Sequence, residues 1–357
     1  MTAQVVHLAS GREWRGGQRQ VWLLARALAE LGGIRQVVVT GAGGELAARL
    51  RQDGIPVRAV PWTAGLDPRV LPGLLAELRP PGALVHAPDA HAATLGGLAA
   101  TLSGRRFVAT RRVDFHLRRR GFWARADRVI AISRAVADVL VADGIAPERI
   151  VIVHSGVALD EIRRTGRIGV RRMLGLAPDA LVAANVAALV GHKDHATLFR
   201  AAARLNGRFP SLHWVVAGEG PERAALERLR SELGLAGRVH LLGHIPEPAR
   251  VVADADLFVM SSREEGLGTS VLDAMALGIP VASTAAGGLP EMLQDGAGSL
   301  APPGDPGALA DAVARLLEDP DLARATVARA TTAVERFTAT RMAEAVRSVY
   351  RSCVPFP

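Results

Sequence analysis

Short apolar, β-branched runs alternate with segments of helical periodicity through nearly the whole chain, and this alternation constrains the fold most tightly. Residues 4–8, 36–40, 83–86, 107–110, 128–132 and 150–154 read as parallel strands buried on both faces. Between them Val21, Leu24, Ala25, Leu28 and Leu31 recur at helical spacing, residues 90–102 and 133–142 do likewise, and Ser133 is placed to cap a helix. A polar, Arg-rich stretch at 160–178 interrupts the pattern and is expected to be an interdomain connection. The pattern then restarts, with strands at 181–189, 213–217, 239–243, 257–261 and 280–284 and helices at 196–205, 221–233, 269–277 and 306–317. Two blocks of strand–helix–strand repetition predict an α/β protein of two doubly wound, Rossmann-like domains facing across a cleft. The 357 residues suffice for two cores. The expected division is 1–165, 166–335 and a tail, 336–357, whose helix returns to the first domain, because the helical patterns at 322–337 and 339–349 have no strands between them.

No apolar run approaches the ~20 residues that span a bilayer, and no charged segment followed by an apolar core opens the chain, so a soluble, cytoplasmic protein is expected. The single cysteine, Cys353, excludes an internal disulfide and makes thiol chemistry a poor fit. The net charge of +8 raises the question of a nucleic-acid partner, and its distribution answers it. Residues 1–165 hold 23 basic and 14 acidic residues, a net +9, against 20 and 21 in the remainder. Ten arginines fall within 105–134 beside only Asp114 and Asp127, but few aromatics interleave with them and no DNA or RNA module is recognisable. Of the 43 basic residues only Lys193 is a lysine, which marks that position as one where Arg does not substitute.

The segment with the most chemistry runs from Ser261 to Ala276. A strand ends at Ser261, Gly266 and Gly268 bracket Leu267 in a loop able to run close to a ligand, and a helix opens near Thr269 and Ser270. Helix-opening amides attract phosphate. Asp273, one turn into that helix, can offer a carboxylate to a ribose diol, and Glu265 on the loop would reach another part of the ligand. An ordinary strand–loop–helix with solvated carboxylates is the competing reading. In the first block, Gly16 and Gly17 follow the first strand and open a helix, where backbone amides can approach an anion. The run Gly41, Ala42, Gly43, Gly44 follows the second strand and lacks the dinucleotide spacing.

The stretch 265–281 resembles the donor-site signature of family 4 glycosyltransferases, the retaining enzymes of GT-B fold, and 215–221, 238–243 and 302–306 are similar to the family's other segments in the same order. The resemblance implies a nucleotide-diphosphate sugar, UDP- or GDP-linked, as donor, with Lys193 on the diphosphate, Glu265 on the sugar, and Gly16, Gly17, Gly218, His244, Ile245, Gly266, Leu267, Gly268, Thr269, Ser270 and Asp273 around the donor. Two positions depart from the pattern: Asp273 stands where the family has Glu, and Ala188 where it commonly has Arg. Similar enzymes often carry a His–Asp pair after the fourth strand; here Arg112, Asp114 and His116 are the candidates. His86 and His91 lie near the end of the third predicted strand, where a packing histidine is the commoner case.

No divalent-metal site is read from the sequence, so a metal-independent reaction without a cofactor is expected. The resemblance further implies an acceptor that is a lipid-linked or cell-envelope glycan. Arg118, Arg119 and Arg120, with Phe122 and Trp123, form a candidate surface for an anionic membrane or phosphorylated acceptor. A sugar-nucleotide epimerase or a phosphorylase shares the architecture, and a nucleic-acid-binding protein using 105–134 is a reading from another class. An NAD-dependent oxidoreductase is disfavoured by the missing G-x-G-x-x-G.

Overall fold

The computed structural model describes residues 4–354 except 12, 63, 64 and 118. It divides into two units, one made of 1–156 with 337–357 and one of 157–336. The first unit contains a seven-stranded parallel sheet: β1 (Gln4–Ala9), β2 (Arg35–Gly41), β3 (Val57–Val60), β4 (Leu84–Ala87), β5 (Arg106–Arg111), β6 (Arg128–Ala131) and β7 (Ile150–Ile152), in the order β3-β2-β1-β4-β5-β6-β7. The second contains six parallel strands: β8 (Leu181–Val186), β9 (Leu212–Ala217), β10 (Val239–Gly243), β11 (Leu257–Met260), β12 (Val281–Thr284) and β13 (Ser299–Ala301), in the order β10-β9-β8-β11-β12-β13. Both are doubly wound Rossmann-like domains, as the strand–helix alternation predicts. The strand order turns back between β1 and β4 and between β8 and β11, and such switch points open crevices at the carboxyl ends of the strands.

Two strands escape the sequence pattern. β3 shows solvent to its middle residues and β13 is three residues long, so neither presents a continuous apolar run. The stretch 160–178 differs more. Helices Leu159–Arg163 and Val170–Met173 lie in it, and Leu159, Ile162 and Val170 are buried. Asp254 accepts from the Gly169 and Val170 amides at 2.6 and 3.0 Å, while Arg171 donates to the Asp254 carbonyl and pairs with Asp256. The stretch therefore folds onto the second domain, and the first domain ends at Gly156 rather than at 165.

The chain re-enters the first domain at Phe337, whose ring meets that of His154 at 5.1 Å. Gly156 is required at this crossing because a Cβ there would stand 2.6 Å from the Thr338 carbonyl oxygen. The Gln20 side chain clamps the same glycine, donating to its carbonyl at 2.8 Å and accepting from its amide at 3.1 Å. Helix Ala339–Cys353, capped by the Thr338 hydroxyl, then packs on helix Gly16–Leu31. Its Tyr350 is fully buried, and the hydroxyl lies 2.7 Å from His86 Nδ1. His86 Nε2 is 2.7 Å from the Thr110 hydroxyl, and His7 Nδ1 is 3.2 Å from His86 Nδ1. Burial pushes the His7 pKa down to about 4 and that of His86 well below its ordinary value, so both rings are neutral packing residues. Among the described residues no helix is long and apolar enough to cross a membrane.

Candidate active site

In the second domain the two loops that flank the β8/β11 switch point carry Lys193 and Glu265. The first loop is anchored at both ends. On β8, Asn185 donates from Nδ2 to the Val259 carbonyl of β11 at 2.8 Å and offers Oδ1 to His195 Nε2 at 3.1 Å. Asp194 adopts a left-handed conformation, φ 45°, and caps helix His195–Leu205 through the Thr197 amide and hydroxyl, at 3.2 and 2.6 Å. Burial disfavours the Asp194 anion, yet the Thr197 hydroxyl and the Arg263 guanidinium, 2.6 Å away, together hold its carboxyl below the usual range. Burial, reinforced by the Lys193 charge, lowers the His195 pKa to about 4.

The second loop is laced to the first. The Ser261 hydroxyl donates to the Lys193 carbonyl at 2.9 Å, and the Arg263 amide donates to the His192 carbonyl at 2.8 Å. Thr284 on β12 donates to the Ser262 carbonyl at 2.6 Å, and the Gly288 amide donates to the Glu265 carbonyl at 2.9 Å. This scaffold brings the Lys193 ammonium onto the Glu265 carboxylate, which also accepts from the Ser262 hydroxyl at 3.2 Å. Both charges are largely withdrawn from water, with side-chain exposures of 17% and 10%.

Gly266 and Leu267 continue the loop, and Gly268, at φ 90°, turns it into helix Thr269–Ala276, whose start no side chain caps. Its opening amides, at Thr269 and Ser270, thus follow Glu265 by four and five residues along the same loop. Asp273 is buried in the following turn. Gly218 has a packing reason: a Cβ there would stand 1.9 Å from the Ala187 carbonyl oxygen, so the loop after β9 lies directly on the loop after β8. His244 and Ile245 follow Gly243 beyond β10, exposed and half-buried respectively.

The first-domain candidates do not converge in the same way. Gly16 and Gly17 open helix Gly16–Leu31, and Gly17 has neither a positive φ nor a neighbour that a Cβ would meet, so its own packing does not demand glycine. Asp89 accepts from the Ser10 amide at 3.0 Å and hydroxyl at 2.6 Å, fixing the start of that loop across the β1/β4 switch point. Arg112 reaches Ser155 Oγ at 3.4 Å, and burial lowers its pKa to about 10. Asp114 is half-buried near Arg111. His116 instead points to the surface, its Nδ1 2.7 Å from Asp143. Trp123 is buried under the Arg111 guanidinium, whereas Phe122 is half-buried, packed over Gly97. Arg119 and Arg120 are exposed, and Arg118 lies outside the described residues. Among the described residues no three His, Cys, Asp or Glu side chains are grouped to hold a metal.

The sequence profile "Glycosyl transferases group 1" matches residues 170–333, and "Glycosyltransferase Family 4" matches 14–161. The chain belongs to the family 4 glycosyltransferases. A D-inositol 3-phosphate glycosyltransferase of Mycolicibacterium paratuberculosis is 37% identical over 218 residues, 58% of this chain and 48% of the relative. The Thermobispora bispora protein of the same name is 36% identical over 216 residues, 56% of this chain and 50% of its own length. The chain thus aligns with about half the length of these curated relatives. Among solved structures, Anabaena HepE in complex with UDP-glucose superposes with a TM-score of 0.84 at 22% identity, over 98% of this chain and 99% of its own. A glycosyltransferase from Rickettsia africae gives 0.84 at 17% identity, over 99% and 98%. The fold is GT-B.

Proposed function

We propose that this family 4 chain is a retaining glycosyltransferase that moves a sugar from a nucleotide-diphosphate donor to an acceptor without a resident metal. The observation that carries this reading is the placement of the chain's only lysine against Glu265 at the β8/β11 switch point, beside an uncapped helix start. A diphosphate leaving group needs positive charge where its own negative charge grows, and Lys193 with the Thr269 and Ser270 amides supplies it. Asp273 takes the ribose hydroxyls, and Glu265 takes hydroxyls of the transferred sugar. The bond from C1 to the diphosphate breaks, the leaving phosphate oxygen takes the proton of the acceptor hydroxyl, and the acceptor oxygen bonds to C1 from the same face. UDP is favoured as nucleotide because the HepE structures hold UDP and UDP-glucose. For the acceptor, a phosphorylated or lipid-linked envelope glycan suits the positive first domain and the relatives' named substrate, an inositol phosphate. Arg119 and Arg120 are the residues proposed to meet an anionic membrane surface.

Removing the Lys193 ammonium tests the assignment. Lys193→Ala should lose donor turnover by at least about a hundredfold, the scale of one lost electrostatic donor, with its circular dichroism unchanged. Full activity in that variant would refute the reading, and nucleotide release that needs no acceptor would favour an epimerase or hydrolytic chemistry instead.

A further inference from the structure

Lys193 and Glu265 pair with each other, and the Ser262 hydroxyl also donates to the Glu265 carboxylate. The other cation tied to these two loops, Arg263, is likewise committed, with Nε donating to Asp194 at 2.6 Å. Each cation is matched by a carboxylate, and position 188 holds Ala. An arriving diphosphate must therefore draw Lys193 away from Glu265. Because the pair is largely shielded from water, this competition is screened less than it would be at an open surface.

We propose that Glu265 is an internal competitor for Lys193 that makes the site prefer a complete nucleotide sugar over the bare nucleoside diphosphate. The inference rests on the donor-site reading above. When the sugar is present, its hydroxyls donate to the Glu265 carboxylate as Lys193 turns to the diphosphate, so both charged groups exchange one partner for another. When only the diphosphate is present, Lys193 can turn but Glu265 loses its cation and gains no donor from the ligand. For a carboxylate so shielded from water, giving up a cation with no new donor in exchange is costly even while the Ser262 hydroxyl still donates to it. The same asymmetry serves product release: once the sugar has left on the acceptor, Glu265 recaptures Lys193 and loosens the hold on the nucleotide.

The test is calorimetric titration of UDP, with GDP and ADP in parallel, into the wild type, Glu265→Gln, Lys193→Ala and the double variant. Glu265→Gln should bind UDP about tenfold more tightly than the wild type, the size of one charge-assisted hydrogen bond. In the Lys193→Ala background the same substitution should change affinity less than about twofold, because the competitor has nothing left to compete for. The preference of the wild type for UDP-glucose over UDP should shrink in Glu265→Gln. Unchanged or weaker UDP binding by Glu265→Gln would overturn the inference, as would an equal gain in the Lys193→Ala background, which would mark a bulk charge effect. Should the Gln variant fail to fold by circular dichroism, Glu265→Ala frees the same lysine and is held to the same outcomes. A wild-type protein that binds none of the three nucleotides at millimolar concentration would overturn the donor-site reading, and the competitor with it.

Discussion

Acidification should loosen the second domain through His195, by an amount that the structure sets. The ring is buried at the start of helix His195–Leu205, held to Asn185, with the Lys193 charge nearby, and its pKa falls from 6.5 to about 4. The folded state thus resists a proton that the unfolded chain accepts. Stability from this group is fully present above pH 6.5 and is lost as pH falls from 6.5 toward 4. At pH 5 the unfolded histidine is nearly all protonated and the folded one nearly all neutral, a difference of about 2 kcal/mol relative to pH 7. Hydrogen exchange of peptides spanning β8 and β9, corrected for intrinsic rates, reports opening of this domain separately from the first. Wild-type protection should fall between pH 7 and pH 5, and His195→Gln, which keeps a hydrogen-bonding group beside Asn185, should fall by about 2 kcal/mol less. His240, whose pKa burial also lowers to about 4, titrates in both proteins and cancels in the comparison. An equal loss in wild type and variant would refute the argument.

Two further outcomes can be checked. Tyr350→Phe keeps the ring but removes the 2.7 Å contact with His86, and should cost about 1 kcal/mol, lowering the first domain's melting temperature by about 2–4 °C in scanning calorimetry; an unchanged transition would contradict the buried cluster as a fastening. Reversing Arg119 and Arg120 to Glu should weaken sedimentation with anionic vesicles at least about tenfold, at about 1 kcal/mol per arginine, and binding indifferent to the reversal would remove the membrane reading.

What the sequence made legible was local. Parallel strands such as β8 and β11 announce themselves by continuous apolar residues, and Lys193 stood out because arginine fills every other basic position. The glycines after Ser261 and the helix signal at Thr269 were enough to place Glu265 on a loop at a strand end. The interactions that aim those residues were not visible, because they join positions far apart in the chain. Asn185 reaches a carbonyl 74 residues away, and Asp194 meets Arg263 at a separation of 69. The same holds for His116, whose partner Asp143 is 27 residues on and stands at the C-terminal cap of another helix. Residues 160–178 looked like a connection because their charge hid two buried side chains, Ile162 and Val170, and because the carboxylates of Asp254 and Asp256 that hold the stretch down lie far along the chain.

The return of the chain at Phe337 has a consequence for how the protein is made. Tyr350 and His86 touch across 264 intervening positions, and the helix that carries Tyr350 covers the first domain's opening helix. On a ribosome, therefore, the second domain has all of its residues before the first does. The first sheet must wait, with the apolar face of helix Gly16–Leu31 uncovered, until residues 337–353 have followed the whole of the second domain. That interval exposes the half-built domain to aggregation and makes it a natural client for chaperones.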